Sequence, residues 1–85
     1  MSISNQPISL IRRKQLEQRM GIGRSTIYLR INQSLITSPV SLGANSVGWP
    51  LHEIDAIIAA RVAGKSDDEI RLLVSELETA RKLVA

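Results

Sequence analysis

Hydrophobic positions between residues 14 and 33 follow the period of two short helices joined by a turn. The apolar residues form two pairs, each with the spacing of four that places both members on one helix face: Leu16 with Met20, and Ile27 with Ile31. The intervening segment, Gly21–Gly23, contains two glycines, which tolerate the left-handed backbone found at helix ends. The pattern therefore predicts a helix-turn-helix, with helices at about residues 14–20 and 24–33.

The period changes to two after residue 35. Residues 38–42 and 46–49 alternate polar with apolar side chains, and Gly43–Asn45 between them supplies turn residues. This alternation predicts a β-hairpin with a loop of about three or four residues. A hairpin that directly follows a helix-turn-helix is a wing. Upstream, the β-prone run at residues 8–11 is either a further strand or an extended lead-in that packs Leu10 and Ile11 onto the core.

The second half of the chain predicts two more helices, and the first of them follows the hairpin. Pro50 fits its first turn, Gly64 fits its end, and its apolar stripe consists of Leu51, Ile54, Ile58 and Val62. His52 lies off this stripe. We therefore expect His52 to be exposed to solvent and to act neither as a ligand nor as a base.

The last helix begins with a capping box, in which Ser66 is the N-cap and Glu69 follows three residues later. It is predicted to extend to about Leu83, with an apolar stripe formed by Ile70, Leu73, Val74, Leu77, Ala80 and Val84. Two acid–base pairs with a spacing of four are expected to support it: Asp67 with Arg71, and Glu78 with Lys82. Because Leu72 and Leu83 lie off the stripe, the helix either folds back to complete the core or pairs with a second copy of the chain.

The composition limits the classes of protein to which the chain can belong. Its 85 residues fit one domain, and a core without phenylalanine must be built from Ile, Leu and Val around Trp49. The absence of cysteine and the single histidine argue against a disulfide framework, a zinc finger or a His-rich metal site. The acidic residues are expected on helix caps and exposed faces, so we predict neither enzyme activity nor a cofactor.

The hydropathy of the chain argues against a membrane location. The longest uninterrupted apolar run, Ala56–Ala60, is far shorter than the roughly 20 residues that a membrane-spanning helix requires. The first residues lack a charged start followed by a long apolar block, so they do not form a secretory signal. The default expectation is a cytoplasmic protein.

The charge is distributed unevenly along the chain. Residues 1–50 contain six basic residues and one acidic residue, for a net charge of +5, whereas residues 51–85 contain five basic and seven acidic residues, for a net charge of −2. All the excess positive charge therefore lies in the half that contains the helix-turn-helix. Such an asymmetric basic face is typical of a protein that binds a polyanion.

Two groups of residues are candidates for contacts with double-stranded DNA. The first group, Arg12, Arg13 and Lys14, lies at the start of the first helix, where positive charge opposes the helix dipole by up to about 1 kcal/mol; phosphate contacts would account for it. On the second helix, Ser25, Thr26 and Arg30 are predicted to point away from the apolar stripe, with short hydroxyl side chains suited to a groove. From this helix, Arg24 and Arg30 can reach a phosphate or a guanine edge, and the hydroxyl of Tyr28 can reach a phosphate. Tyr28 is equally compatible with a position at the rim of the core.

At three places these motifs resemble the AlpA-like regulators of prophages and integrated elements. The resemblance rests on the segment from Met20 to Tyr28, the hairpin segment Pro39–Gly43, and Val47–Trp49 followed by Glu53–Ala56. It extends over roughly residues 8 to 62, and the helix that begins at Ser66 looks like an extension found in some members.

The resemblance implies a winged helix-turn-helix related to excisionases and to the DNA-binding domain of MerR-type regulators. It places Arg24, Ser25, Thr26, Tyr28 and Arg30 on the recognition helix, and it places the wing tip at residues 43–46, where Asn45 and Ser46 would approach DNA. The chain departs from the family at three positions. Gly23 replaces a serine cap, Asn45 lies where a basic residue is common, and Ile57 stands where many members have a second tryptophan.

The sequence thus predicts a mainly α fold with a small β-hairpin, a winged helix-turn-helix of the excisionase type plus a C-terminal helix. Residues 1–7 are expected to form a flexible tail, residues 8–64 the DNA-binding domain, and residues 65–85 a helix that completes the core or forms a homodimer. The favoured function is a sequence-specific transcriptional regulator at the nucleoid. An excisionase-type factor that bends DNA and a small antirepressor-like module that binds another protein remain as alternatives.

Overall fold

In a computed structural model, residues 8–83 are described. The tail predicted for residues 1–7 and the stripe residue Val84 lie outside this range. The elements in chain order are β1 (Leu10–Ile11), α1 (Arg13–Met20), α2 (Arg24–Asn32), β2 (Val40–Gly43), β3 (Ser46–Pro50), α3 (Leu51–Val62), α4 (Asp67–Ala80) and a 3-10 turn (Arg81–Leu83). The predicted class is confirmed, because four helices and a small antiparallel sheet are compatible with a winged helix-turn-helix followed by a C-terminal helix.

The turn between α1 and α2 depends on a left-handed residue. Gly21 has φ +69°, and its N–H donates to the Glu17 carbonyl at 2.8 Å, which closes the last turn of α1. Glycine adopts this backbone without the steric cost that a side chain would add. The N-terminus of α1 is fixed by the Arg12 N–H, which donates to Gln15 Oε1 at 2.9 Å.

The segment after α2 belongs to the core, which the sequence analysis did not anticipate. Ser34 has φ +62°, and the Leu35 N–H donates to the Arg30 carbonyl at 2.8 Å, as in a Schellman motif. This motif directs Leu35, Ile36 and Thr37 inward, where all three are buried. Serine is an uncommon residue for a left-handed position, so the local sequence contains no strong signal for this turn.

The sheet has the order β1-β3-β2, with both pairs antiparallel. The residues of the N-terminal β-prone run therefore include a true strand, in which Ile11 pairs with Trp49. Gly48 lies on the central strand, where an added Cβ atom would be 3.0 Å from both the Ile11 carbonyl oxygen and Leu42 Cδ1. A glycine at this position allows the strands and the Leu42 side chain to approach closely.

The hairpin is tighter than predicted. Its turn consists of two residues, Ala44–Asn45, because Gly43 pairs with Ser46 after a register shift that follows Ser41. Asn45 has φ +60°, a conformation that asparagine accepts more readily than most residues. The hairpin tip therefore presents a short polar side chain.

Trp49 is the largest residue of a single core, as predicted. The fully buried indole donates its Nε1–H to the Thr37 carbonyl oxygen at 3.0 Å. The core draws on every helix, on β1, on β3 and on the segment after α2, and its buried members are Ile11, Leu16, Ile27, Leu35, Ile36, Trp49, Ile54, Ile57, Ile70 and Val74.

The predicted apolar stripe of α3 is wrong at its C-terminal end. Ile57 is fully buried, whereas 83% of Val62 is exposed. Because α4 packs against α3 and contributes Ile70 and Val74 to the same core, the buried face of α3 is rotated toward Ile57. Pro50 is also displaced from the prediction, since it is the last residue of β3 and the N-cap of α3.

Glu53 corrects the expectation that the acidic residues lie on caps and exposed faces. It is fully buried, and Arg81 holds it through two hydrogen bonds, Nε to Oε2 at 2.8 Å and Nη2 to Oε1 at 2.7 Å. Arg81 Nη2 also donates to the Ser38 carbonyl oxygen at 2.7 Å. Hydrogen bonding to Glu53 raises the pKa of Arg81 above its ordinary value, so the guanidinium is charged at every relevant pH.

Neither of the two ion pairs predicted along α4 forms, because their side chains have other partners. Asp67 pairs with Arg61 of α3 at 3.0 Å, and Arg71 pairs with Asp68 at 3.1 Å while donating to the Gln33 carbonyl. Glu78 accepts the Ser38 N–H at 2.7 Å instead of pairing with Lys82. The predicted capping box is confirmed, with the Ser66 hydroxyl accepting the N–H of Glu69.

Candidate DNA-binding surface

The face of α2 that points away from the core is open to solvent. Ile27 is buried and Ile31 is partly buried against the core, which fixes the rotation of the helix. The exposed residues of the helix form what we call the outer face of α2, which consists of Arg24, Ser25, Tyr28, Leu29 and Asn32. A helix that packs one face and exposes a largely polar one is suited to lie in the major groove of DNA.

Two of the predicted contact residues, Thr26 and Arg30, lie beside this face instead of on it. Both are only partly exposed, so they are less open to solvent than Ser25, which was predicted to point away from the apolar stripe together with them. They lie four residues apart on the flank of α2 nearer to α3, because the spacing of four brings side chains to the same side of a helix. Arg30 lines a cleft there with arginines from α1 and α3, Arg19 and Arg61.

Arg24 and Tyr28 lie next to each other at the opposite edge of the outer face. The guanidinium carbon of Arg24 lies 6.0 Å from the centroid of the Tyr28 ring, at the outer limit of a cation–π contact. The Tyr28 side chain is 38% exposed, which agrees with its predicted place at the border of the two faces. Stacking of this kind orients a guanidinium without neutralising it, so the charge of Arg24 remains available.

The N-terminus of α2 has no side-chain cap. Gly23 is the N-cap residue, with an extended backbone and no acceptor side chain for the amide groups of the first turn. Such N–H groups, together with the helix dipole, favour an anion such as a phosphate oxygen. Ser25 lies in this turn and is exposed.

The predicted basic cluster at the start of α1 divides into two kinds of residue. Arg12 and Lys14 are exposed, whereas Arg13 Nη1 forms an ion pair with Glu17 Oε2 at 2.7 Å. In the hairpin, Asn45 is exposed at the tip and Ser46 is half-buried. Among these candidates, Arg13 is the one whose charge is balanced by a carboxylate within residues 8–83.

The ion pairs separate the arginines of the described chain into two sets. Within residues 8–83, five arginines pair with a carboxylate: Arg13, Arg19, Arg61, Arg71 and Arg81. The four remaining cations of the first half, Arg12, Lys14, Arg24 and Arg30, form no such pair in this range. They lie on α2 and at the N-terminus of α1, whereas the two lysines of the second half that also lack an ion pair in this range, Lys65 and Lys82, lie apart from them. Most of the unpaired positive charge of the described chain is therefore on the helix-turn-helix.

Two residues of the outer face of α2 were missed by the sequence analysis. Leu29 is 54% exposed, and Asn32 is exposed at the end of the helix. Helical spacing could have identified both residues, because Ser25, Leu29 and Asn32 have the spacing i, i+4 and i+7 of one helix face. Leu29 was overlooked because an apolar residue is usually assigned to the core.

Residues 8–83 contain no helix that is both long enough and apolar enough to cross a membrane. Over the same range, histidine and acidic side chains do not gather in a group of three that could hold a metal ion.

Comparison with known proteins places the chain in a family. Residues 9–62 match the family described as "Prophage CP4-57 regulatory protein (AlpA)". A curated relative from Enterobacteria phage P4, described as "Uncharacterized protein ORF88", is 42% identical over 45 residues, which cover 53% of this chain and 51% of the relative. The chain therefore aligns with about half of that protein, and no solved structure matches it significantly. On the family match, which includes α1, α2, the hairpin and α3, the chain belongs to the AlpA family of prophage regulatory proteins.

Proposed function

We propose that this protein is a sequence-specific DNA-binding transcriptional regulator of a phage or an integrated element. The observation that carries the proposal is the cluster of four cations on the helix-turn-helix that form no ion pair within residues 8–83: Arg12, Lys14, Arg24 and Arg30. Membership of a prophage regulatory family supports the same function. We assign DNA binding to residues 8–64 and a supporting or pairing role to residues 65–85.

In the proposed complex, α2 lies in the major groove with its outer face toward the bases. Arg24 reaches a base edge or a phosphate, and the uncapped first turn with Ser25 contacts the backbone. Arg12, Lys14 and Arg30 contact phosphates on either side of the groove. The hairpin tip at Asn45 approaches the neighbouring groove, where a short polar residue adds little electrostatic attraction.

The proposal is tested by a salt titration of binding to the DNA upstream of this protein's own gene, compared with a random duplex of equal length. We expect preferential binding to the upstream DNA and an affinity that falls steeply with salt, with a log–log slope of about −0.9 for each phosphate contact. A Lys65→Ala variant is the matched control, because Lys65 is an exposed cation between α3 and α4. Binding that is absent, or that does not respond to salt, would favour the antirepressor-like alternative.

Footprinting separates the two roles that a DNA-binding protein of this family can have. A symmetric regulator requires inverted half-sites about 34 Å apart, whereas an excision factor that bends DNA lines up on direct repeats. Inverted half-sites would support the proposed regulator, and direct repeats with strong bending would replace it with the excisionase-type function.

For the regulator we further propose a homodimer formed through the outer side of α4. Leu72 is 67% exposed there, and Leu83 is 83% exposed in the following turn. Leu72 lies within α4, whereas Leu83 lies in the 3-10 turn that follows the helix, so the proposed contact includes both the helix and its C-terminal turn. A Leu72→Ser variant should sediment as a monomer where the original chain forms a dimer, whereas an identical sedimentation profile for both would argue against this interface.

A further inference from the structure

Leu29 is an unusual residue for the position it occupies. The other isoleucine and leucine side chains near the middle of α2, Ile27 and Ile31, pack against the core, but 54% of Leu29 is exposed on the outer face. Ser25 lies one turn before it and Asn32 about one turn after it, and both are exposed. The leucine therefore forms an isolated apolar point between two polar side chains.

The surroundings of Leu29 do not fit a site for docking a folded protein. A stable protein–protein interface buries roughly 800 Å² on each partner and has an apolar centre formed by several residues. The other residues of the outer face of α2 are Arg24, Ser25, Tyr28 and Asn32, and among these four Tyr28 alone offers further apolar area. One exposed aliphatic side chain with polar neighbours instead suits a small apolar group that is itself surrounded by hydrogen-bonding groups.

The major groove of DNA contains one such group, the C5-methyl of thymine. Apolar side chains recognise this methyl by contact, and the neighbouring base edges offer donors and acceptors to polar residues. Asn32 lies on the same face and has an amide, which can bond N6 and N7 of adenine at the same time. The chemistry of the face thus matches A·T base pairs.

We propose that Leu29 is a specificity-determining residue that recognises the C5-methyl group of a thymine in the binding site. This inference rests on the proposed DNA-binding function, and it names the base that the centre of α2 reads. Ser25 is small enough to let the leucine approach the base edge, while the cations around it fix the position of the helix through the backbone.

The test removes the methyl group from the DNA. The highest-affinity duplex is first selected from a random library with the original protein, and each thymine in it is then replaced singly by deoxyuridine, which retains the Watson–Crick pairing. At one or two positions we expect the affinity of the original protein to fall about fourfold, the effect of losing one buried methyl contact. For the Leu29→Ala variant, the ratio of the affinities for the thymine and uracil duplexes should approach one at those positions.

A Leu10→Ala variant is the matched control, because Leu10 is also a partly exposed leucine, 45% exposed, and lies on β1. It should retain the fourfold ratio of the original protein. If the original protein selects a specific duplex but no thymine methyl affects its affinity, or if Leu29→Ala retains the ratio, this inference is wrong and the proposed function still holds. If no specific duplex can be selected, the proposed function fails as well.

Discussion

The outer face of α2 and the site where the start of α3 meets the turn after α4 both contain arginine, but the surroundings of the arginines differ. We call the second site, which consists of Glu53, Arg81 and Ser38, the junction. At the junction, Arg81 makes two hydrogen bonds to the fully buried Glu53 and a third to the Ser38 carbonyl. On α2, Arg24 forms no ion pair within residues 8–83, its guanidinium lies beside the Tyr28 ring, and the residue is exposed. An arginine therefore stabilises the fold where a carboxylate is buried beside it, as at Arg81. Where no carboxylate is paired with it, as at Arg24, the guanidinium is available to a polyanion.

This difference determines what a substitution in either region should affect. An unpaired buried charge is costly, so changes at the junction should lower the free energy of unfolding. Changes on the outer face remove no buried contact, so they should alter DNA binding and leave the fold intact. The four predictions below test this separation.

The largest effect is expected from Trp49→Ala. Trp49 is fully buried and donates to the Thr37 carbonyl at 3.0 Å, which holds the segment next to the junction residue Ser38. Truncation should lower the free energy of unfolding by about 3–5 kcal/mol, measured by urea denaturation with circular dichroism. Val47→Ala, on the same strand but 37% exposed, is the control. A Trp49→Ala protein with an unchanged denaturation midpoint would mean that the sheet and the helices do not share one core.

The next effect is expected from Arg81→Ala, which leaves the Glu53 carboxylate buried without a partner. Removal of one member of a buried pair costs about 3–5 kcal/mol. Because Arg81 is partly exposed, we expect the free energy of unfolding to fall by about 3 kcal/mol, the lower end of this range. The double variant Glu53→Leu/Arg81→Met should recover most of this loss, since it removes both charges. Equal stabilities of the single variant and the original protein in thermal denaturation would show that the junction does not hold α4.

On the other side of the comparison, Arg24→Ala should weaken specific DNA binding by about 1–3 kcal/mol if the side chain reaches a base. The unfolding midpoint should remain the same, because Arg24 makes no ion pair within the described residues. The Arg30→Ala variant tests the flank of α2 in the same assay. If Arg30 contacts a phosphate, its removal should reduce the magnitude of the log–log salt slope by about one unit. Fluorescence anisotropy measures the DNA affinity and the salt slope of both variants, with Lys65→Ala as the control. An unchanged affinity for either variant would mean that its arginine does not lie in the interface.

The smallest effect is expected from the capping box of α4 at acid pH. The Ser66 backbone N–H donates to Glu69 Oε1 at 2.8 Å. This hydrogen bond is the main reason that the pKa of Glu69 lies below its ordinary value of 4.5, and a hydrogen bond with the Ser66 hydroxyl lowers the pKa further. Because the pKa is lower in the folded state, the stabilisation is present above pH 4.5 and is lost as the pH falls through the lowered pKa. Melting temperatures from pH 6 to pH 3 should therefore fall less for Glu69→Gln than for the original protein.

The control for this pH series is Glu76→Gln, on the exposed side of the same helix. It should retain the acid-dependent decrease of the original protein. A Glu69→Gln protein whose melting temperature follows the same pH curve as the original would show that the capping carboxylate does not contribute to the acid sensitivity.

Much of the local structure follows from the sequence alone. The glycine turn, the spacing of four that joins Leu16 to Met20 and Ile27 to Ile31, and the capping box at Ser66 each involve residues within one or two helical turns of one another. Signals at this range are set by backbone geometry and helix period, so they persist in any tertiary context that retains the helices. The family match over residues 9–62 agrees with the resemblance noted from the same motifs.

The candidate site was predicted less completely than the fold. The sequence indicated the basic half of the chain and the helix that exposes a polar face, but it placed Thr26 and Arg30 on that face and omitted Leu29. Helical spacing gives the relative angles of side chains, whereas their exposure depends on which neighbouring elements cover each flank. The cleft that Arg30 lines is formed by residues of α1, α2 and α3 together, so its existence cannot be inferred from α2 alone.

Only the tertiary structure decided which charges hold the fold. Glu53 and Arg81 are 28 residues apart in sequence, and no periodicity connects them. Likewise, Ile57 is buried and Val62 is exposed because α4 returns across α3, a long-range choice that the pattern of α3 leaves open. The sequence by itself determined the helices, the hairpin and the location of the positive charge, because these depend on neighbouring residues. The pairing of distant side chains required the packed core, since only packing brings them within reach of one another.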